Sequence, residues 1–175
     1  MDAKTLAEQG KQEYAKGAFG VAADLFSQAA QAYGSVQDEL NAAEMKNNQS
    51  VALLKAGKAE DALRATDGTE AIFQKAGDQT RQGIAIANRA AALEALKKYN
   101  EAMEAYNRAA VIFEEIGEGD MHSVVRKATA EIFLKRGYIS NTQMDVFDSL
   151  RLVEKPTLTQ RFLKFLMRLG FFNPQ

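Results

Sequence analysis

The sequence predicts an all-α protein: an α-solenoid of four stacked helical hairpins over residues 1–155, followed by an amphipathic helix within residues 156–175. Three observations carry this. Columns of alike residues recur every 40 residues, apolar positions inside each unit keep three- and four-residue spacing, and only two prolines interrupt 175 residues. Self-similarity at a period of roughly 20 to 50 residues marks an array in which each unit buries its apolar face against its neighbour.

The units read as about 3–37, 38–77, 78–119 and 120–155. Gly10, Ser50, Ala90 and Ala130 form a small column on the first helix of each unit, and Ala22, Ala62, Ala102 and Thr142 form another on the second. Helices joined by a tight turn approach closely only where side chains are small, so these two columns should face each other. Larger residues run through Phe26, Thr66, Tyr106 and Val146 and through Tyr33, Phe73, Phe113 and Val153, filling the space between hairpins. In the third unit, Ile86, Ala90, Leu93 and Leu96 stripe the first helix and Met103, Tyr106, Ala110 and Phe113 the second. Gly17, Gly57 and Gly137 mark the corner inside a unit, with Lys97 at that place in the third, because glycine readily takes the left-handed conformation that ends a helix. Between units lie Gly34-Ser35, Gly77-Asp78 and Gly117-Glu118-Gly119-Asp120, breakers followed by capping residues.

The C-terminal segment has its own logic. Thr157 and Gln160 form a capping box, and a helix from about 158 to 169 ends at Gly170. Phe162, Phe165, Leu166 and Leu169 make one apolar stripe, opposite Arg161, Lys164 and Arg168. Burying each such side chain is worth roughly 1.5–3 kcal/mol, so the stripe needs a cover. Three covers would serve: the last hairpin of the same chain, a second copy in a homodimer, or a membrane surface reached by a cationic amphipathic helix ending in Phe171-Phe172.

Composition excludes several chemistries. With no cysteine there are no disulfides, thiolate metal sites or cysteine nucleophiles, which suits a reducing compartment. The N-terminus lacks the apolar stretch of a secretory signal and no run of 18 apolar residues occurs, so a cytoplasmic location is expected. Residues 151–175 hold five basic residues and one acidic, a net of +4, which leaves −5 on the rest. An acidic array is a poor match for phosphates, and nucleic acid is not an expected partner. The single histidine, His122, stands at an inter-unit turn and cannot form a two-histidine metal site. Gly117-Glu118-Gly119-Asp120 lacks the Gly-Lys-Ser ending of a phosphate loop. No catalytic residue, metal or cofactor is expected.

The segment Ala87–Ala109, with its small residue, Leu, turn, aromatic, Ala, aromatic, Ala order, resembles a tetratricopeptide repeat, as does Leu6–Gly10 continued through Gly17, Phe19, Ala22, Phe26 and Ala29. The likeness covers residues from about 3 to 154. The usual repeat is about 34 residues, so the longer period resembles the variety found in kinesin light chain and bacterial regulatory scaffolds. The leucine common before the small residue is replaced by Gln9, Gln49, Arg89 and Thr129, and the fourth unit is the weakest.

The resemblance implies a right-handed superhelix and a non-enzymatic adaptor whose first helices line a groove for a peptide or partner protein. It places Lys11, Tyr14, Asn47, Asn48, Val51, Lys55, Asn88, Glu94, Lys127 and Glu131 on that groove, with Ala7 and Glu8 beside them. Asn48 and Asn88 stand one period apart, and a carboxamide donates and accepts at once, as an extended peptide backbone requires. Each could equally bond a neighbouring helix or water. Of the clamp that related domains use for acidic chaperone tails, only Asn48 matches, while Ala7, Lys11, Ile84 and Asn88 occupy the other places. An alternative role is a self-assembly module or a membrane-attached scaffold that uses the face of Phe162, Phe165, Leu166 and Leu169.

Overall fold

The computed structural model describes residues 2–136. Within them the chain forms α1 (Ala3–Ala15), α2 (Phe19–Ser35), α3 (Glu39–Lys55), α4 (Ala59–Ala65), α5 (Thr69–Lys75), α6 (Gln79–Ala95), α7 (Tyr99–Glu115) and α8 (Gly119–Arg136), with no strand among the described residues. Helix α1 packs on α2, α3 on α4 and α5, and α6 on α7, and each hairpin stacks on the next through α2–α3, α5–α6 and α7–α8. This is an α-solenoid of the tetratricopeptide-like kind. The second helix expected in the fourth unit and the helix expected at 158–169 lie outside the described residues.

Corners are built alike. A left-handed residue stands at Gly17, Gln37, Gly57, Gly77, Lys97 and Gly117, each with φ between 60° and 80°. The residue after each returns its N–H to a carbonyl five positions back: Ala18 to Glu13, Asp38 to Tyr33, Lys58 to Leu53, Asp78 to Phe73, Lys98 to Leu93 and Glu118 to Phe113, at 2.8–3.0 Å. That geometry satisfies carbonyls a helix end would otherwise strand. First helices then open on a carboxylate: Asp2, Asp38 and Asp78 each accept from the backbone N–H three residues on.

Two expected corners move. Gly34 belongs to α2, which runs through Ser35, and the turn is made by Gln37 instead. Gly119 and His122 belong to α8 rather than to the turn before it: the N–H of His122 donates to the Glu118 carbonyl at 2.9 Å, within helical bonding. Glycine is tolerated inside a helix when tertiary packing holds the turn on both sides.

The small columns are buried at Gly10, Ser50, Ala90, Ala22, Ala62 and Ala102 and half-buried at Ala130, Thr142 lies outside the described residues, and one change appears in what they face. Ser50 Oγ donates to the Ala62 carbonyl at 2.8 Å, the expected approach of a first helix to a second. Gly10 instead meets the ring of Phe26: a Cβ at Gly10 would lie 2.8 Å from Phe26 Cε1. Gly83 does the same service for Phe113, at 2.6 Å. An aromatic ring pressed on bare backbone is what fixes these hairpins.

In the second unit the second helix is interrupted. Thr66-Asp67-Gly68 separates α4 from α5, and Gly68 is left-handed at φ 77°. Thr66 Oγ1 donates to the Leu63 carbonyl at 2.7 Å and Thr69 Oγ1 to the Thr66 carbonyl at 2.8 Å. Hydroxyls that bond the backbone locally compete with the helix, and Asp-Gly completes a turn. The buried core divides near this break into clusters around Phe26, Met45 and Leu53, around Phe73 with Ala43 and Ala85, and around Ile86, Tyr106 and Phe113.

Candidate interaction face

The first helices α1, α3, α6 and α8 carry a line of alternating charge. Glu8 accepts from Lys11 at 2.8 Å, and Glu44 on α3 accepts from Arg81 on α6 at 3.1 Å. Arg81 also bonds Asp78 at 2.6 Å and lies 5.3 Å over the ring of Phe73. The Asp78 hydrogen bond raises the Arg81 pKa, and the Arg81 backbone N–H lowers that of Asp78. Lys11 is raised by its hydrogen bond to Glu8, with the charge of Glu44 adding to it. Opposite charges thus run from α1 through α3 to α6.

Farther along, Glu94 joins three helices. It accepts from Tyr106 Oη on α7 at 3.2 Å and from Lys135 Nζ on α8 at 2.7 Å. Burial and the Glu94 charge push the Tyr106 phenol above its ordinary range, so the phenol stays protonated and donating. The hydrogen bond to Glu94 raises Lys135.

Five of the ten expected groove residues have partners inside the protein. Lys11 is paired with Glu8, Glu94 with Tyr106 and Lys135, and Lys127 lies 4.0 Å from Glu131. Tyr14 is half-buried, edge-on to Phe19 with ring centroids 5.1 Å apart. Asn47 is corrected: it is 4% exposed, inside the solenoid like Ala7 one unit earlier, and its Oδ1 has no hydrogen-bond partner among the described residues. Its place on α3 turns it inward, while Asn48, one residue on, turns out. Asn48, Val51 and Asn88 are half-buried and Lys55 is exposed. Asn48, Asn88 and Lys55 bond no other side chain or backbone group among the described residues, and the two asparagines occupy equivalent places on the packed pair α3 and α6.

Arg81 and Glu44 are the residues that sequence reasoning missed. The signal was present in Asp78 and Arg81 three apart on a helix start, but Glu44 is 37 residues from Arg81 and only the stacking brings them together. Two open clefts, of about 440 Å³ around Lys46, Asp61 and Arg64 and about 350 Å³ around Asp67, Glu70 and Arg89, are not lined by Asn48 or Asn88. Among the described residues no three His, Asp or Glu side chains gather as metal ligands, and no helix is long and apolar enough to cross a membrane.

Fold and face together define a helical-repeat protein of tetratricopeptide-like architecture. A sequence model of the family described as soluble NSF attachment protein, SNAP, matches residues 2–172, and the chain belongs to that family. Its fold is similar to that of aspartyl phosphate phosphatase F from Bacillus subtilis, at 15% identity and a TM-score of 0.75, over 97% of this chain and 43% of the phosphatase. The chain thus spans less than half the length of that protein, and the likeness is one of fold. No curated protein matches the chain.

Proposed function

We propose that this chain is a non-enzymatic adaptor that receives an extended segment of a protein partner along its first helices, with Asn48 and Asn88 gripping the segment's backbone. One observation carries the reading: two half-buried carboxamides stand at equivalent places on packed helices with no partner among the described residues, while Lys11, Arg81 and Lys135 are each paired with a carboxylate. Carboxamides left so placed can each give one donor and one acceptor to a peptide group. Val51 adds apolar contact and Lys55 an uncommitted cation at one end. The mixed lining favours a ligand without strong net charge. Membership of a family named for attachment to another protein supports a protein partner.

The chain also reads as the long-helix variety of tetratricopeptide array. Second helices beginning at Phe19, Ala59 and Tyr99, and first helices at Glu39, Gln79 and Gly119, support a 40-residue unit. On this reading the units run over about 3–37, 38–77, 78–119 and 120–155, with the helix that begins at Gly119 opening the fourth.

The groove reading is tested by affinity capture with the intact chain and an Asn48→Ala/Asn88→Ala variant of unchanged helicity. Proteins retained by the wild type should be lost or weakened roughly 10-fold or more by the variant, since each lost carboxamide removes hydrogen bonding worth about 1 kcal/mol or more. Equal retention by both proteins would place recognition elsewhere.

A further inference from the structure

Two grips set a distance, and the distance selects a chain conformation. Helices α3 and α6 pack side by side, Glu44 of one meeting Arg81 of the other at 3.1 Å, and Asn48 and Asn88 stand at equivalent places on them. Packed helices lie about 8–10 Å apart, so the two carboxamides are separated by about that distance across the groove. The backbone groups they hold must be spaced alike.

A β-strand turns like-facing groups to one side at every second residue, which gives about 6.6 Å or, at the next, about 13 Å, and neither matches. A polyproline II segment has three residues per turn and a rise of about 3.1 Å, so its like-facing carbonyls recur about every 9.3 Å. That repeat fits. An α-helix already bonds its backbone groups internally and leaves none along its length for a carboxamide. The surroundings agree. In the column of Asn48 and Asn88, α1 carries Glu8 and α8 carries Ala128, and one turn on the four first helices carry Lys11, Val51, Ala91 and Glu131. The grips and the small apolar contacts therefore coincide on the middle two helices, between the Glu8–Lys11 pair at one end and the Lys127–Glu131 pair at the other. With only two grips, ordering a flexible chain would cost more than they return, because fixing one residue costs as much as a typical hydrogen bond contributes. A segment already held in polyproline II avoids most of that cost.

We propose that the segment received across α3 and α6 is a short, uncharged, proline-rich stretch in the polyproline II conformation, with Asn48 and Asn88 bonding peptide groups three residues apart and Val51 and Ala91 against its apolar side. The inference rests on the groove reading and adds the class of its ligand. A residue other than proline at every third place leaves each grip an N–H as well as a carbonyl.

Two dye-labelled, end-blocked peptides of twelve residues, one of Pro-Pro-Ala repeats and one of Thr-Val repeats, are titrated against the full chain and against Asn48→Ala/Asn88→Ala, with fluorescence anisotropy as the readout. The proline-rich peptide should bind the wild type roughly 10-fold or more tightly than the Thr-Val peptide, and should lose roughly 10-fold or more in the variant. Comparable binding of the two peptides, both weakened in the variant, would overturn the polyproline II assignment and leave the groove standing. Binding of the proline-rich peptide that the variant does not weaken would overturn both. No binding of that peptide to the wild type would overturn the assignment alone, because capture of protein partners tests the groove separately. Alanine already stands at this place in α8 as Ala128, and unchanged far-UV circular dichroism checks that the fold is kept.

Discussion

The second helix of unit two and the second helix of unit three occupy the same stretch of their units, yet one is split and the other is continuous. Residues 59–75 hold α4 and α5 with a turn between them, and residues 99–115 are the single helix α7. At the equivalent place Thr66 stands where α7 has Tyr106. Tyr106 fills the interior and reaches Glu94, while Thr66 bends its hydroxyl back to the Leu63 carbonyl. The turn in unit two is tied down by charge instead: Asp67 accepts from Arg89 of α6 at 2.9 Å, and Glu70 pairs with Arg108 of α7. A stacked array tolerates such a break because every unit is braced by its neighbours. The break changes no residue count, so the corners at Gly57 and Gly77 stay in step with Lys97 and Gly117.

The sharpest way to break this comparison is to remove the two equivalent side chains. Tyr106→Ala empties a buried aromatic site and strips Glu94 of a donor, an expected loss of about 3–5 kcal/mol. Thr66→Ala removes one local hydrogen bond, an expected loss of about 1 kcal/mol. Urea unfolding midpoints read both. Equal losses would mean that the two helices are held in the same way and that the split is incidental.

The architecture was legible in the sequence because it rests on properties of single positions: a glycine at a corner, an alanine at a crossing. Gly17, Gly57 and Lys97 turn where their column predicts, and Ala22, Ala62 and Ala102 are fully buried. What failed to show was whatever depends on two distant residues at once. The turn at Gln37 was hidden because Gly34, three residues earlier, was the more obvious breaker. The break at Thr66-Asp67-Gly68 was written locally, but Thr66 was read as a member of a repeat column and Asp67-Gly68 was passed over. Of the face itself, Asn48 and Asn88 could be named beforehand. The inward turn of Asn47, the Glu44–Arg81 pair and the Glu94–Tyr106–Lys135 junction required knowing how far each helix is rotated against the next.

The comparison sharpens at the crossing point beside the break. Ala62 of α4 and Ala102 of α7 are equally buried, and Ala62 additionally lends its carbonyl to Ser50. Ala62→Leu should cost about 1–3 kcal/mol by overpacking, and Ala102→Leu the same. Ala59→Leu, at a half-buried position, should cost clearly less. Thermal unfolding of the three variants decides. If Ala62→Leu were much milder than Ala102→Leu, the short α4 would be yielding, and the break would loosen the hairpin it interrupts.

The smallest effect compares the corners themselves, Gly57 in unit two and Lys97 in unit three. Lys97 holds φ at 60° with a side chain exposed to solvent. A left-handed residue with a Cβ costs roughly 1–2 kcal/mol, of which glycine's greater freedom in the unfolded chain takes back roughly 0.5–1 kcal/mol. Lys97→Gly should therefore stabilise the protein by about 0.5–1 kcal/mol, and Gly57→Lys should destabilise it by a similar amount. Equal and opposite shifts would mean that the two corners are interchangeable, so that units two and three differ only between their ends. A loss of stability in Lys97→Gly would instead show that the lysine stem contributes packing at this corner and that the two units differ at their ends as well.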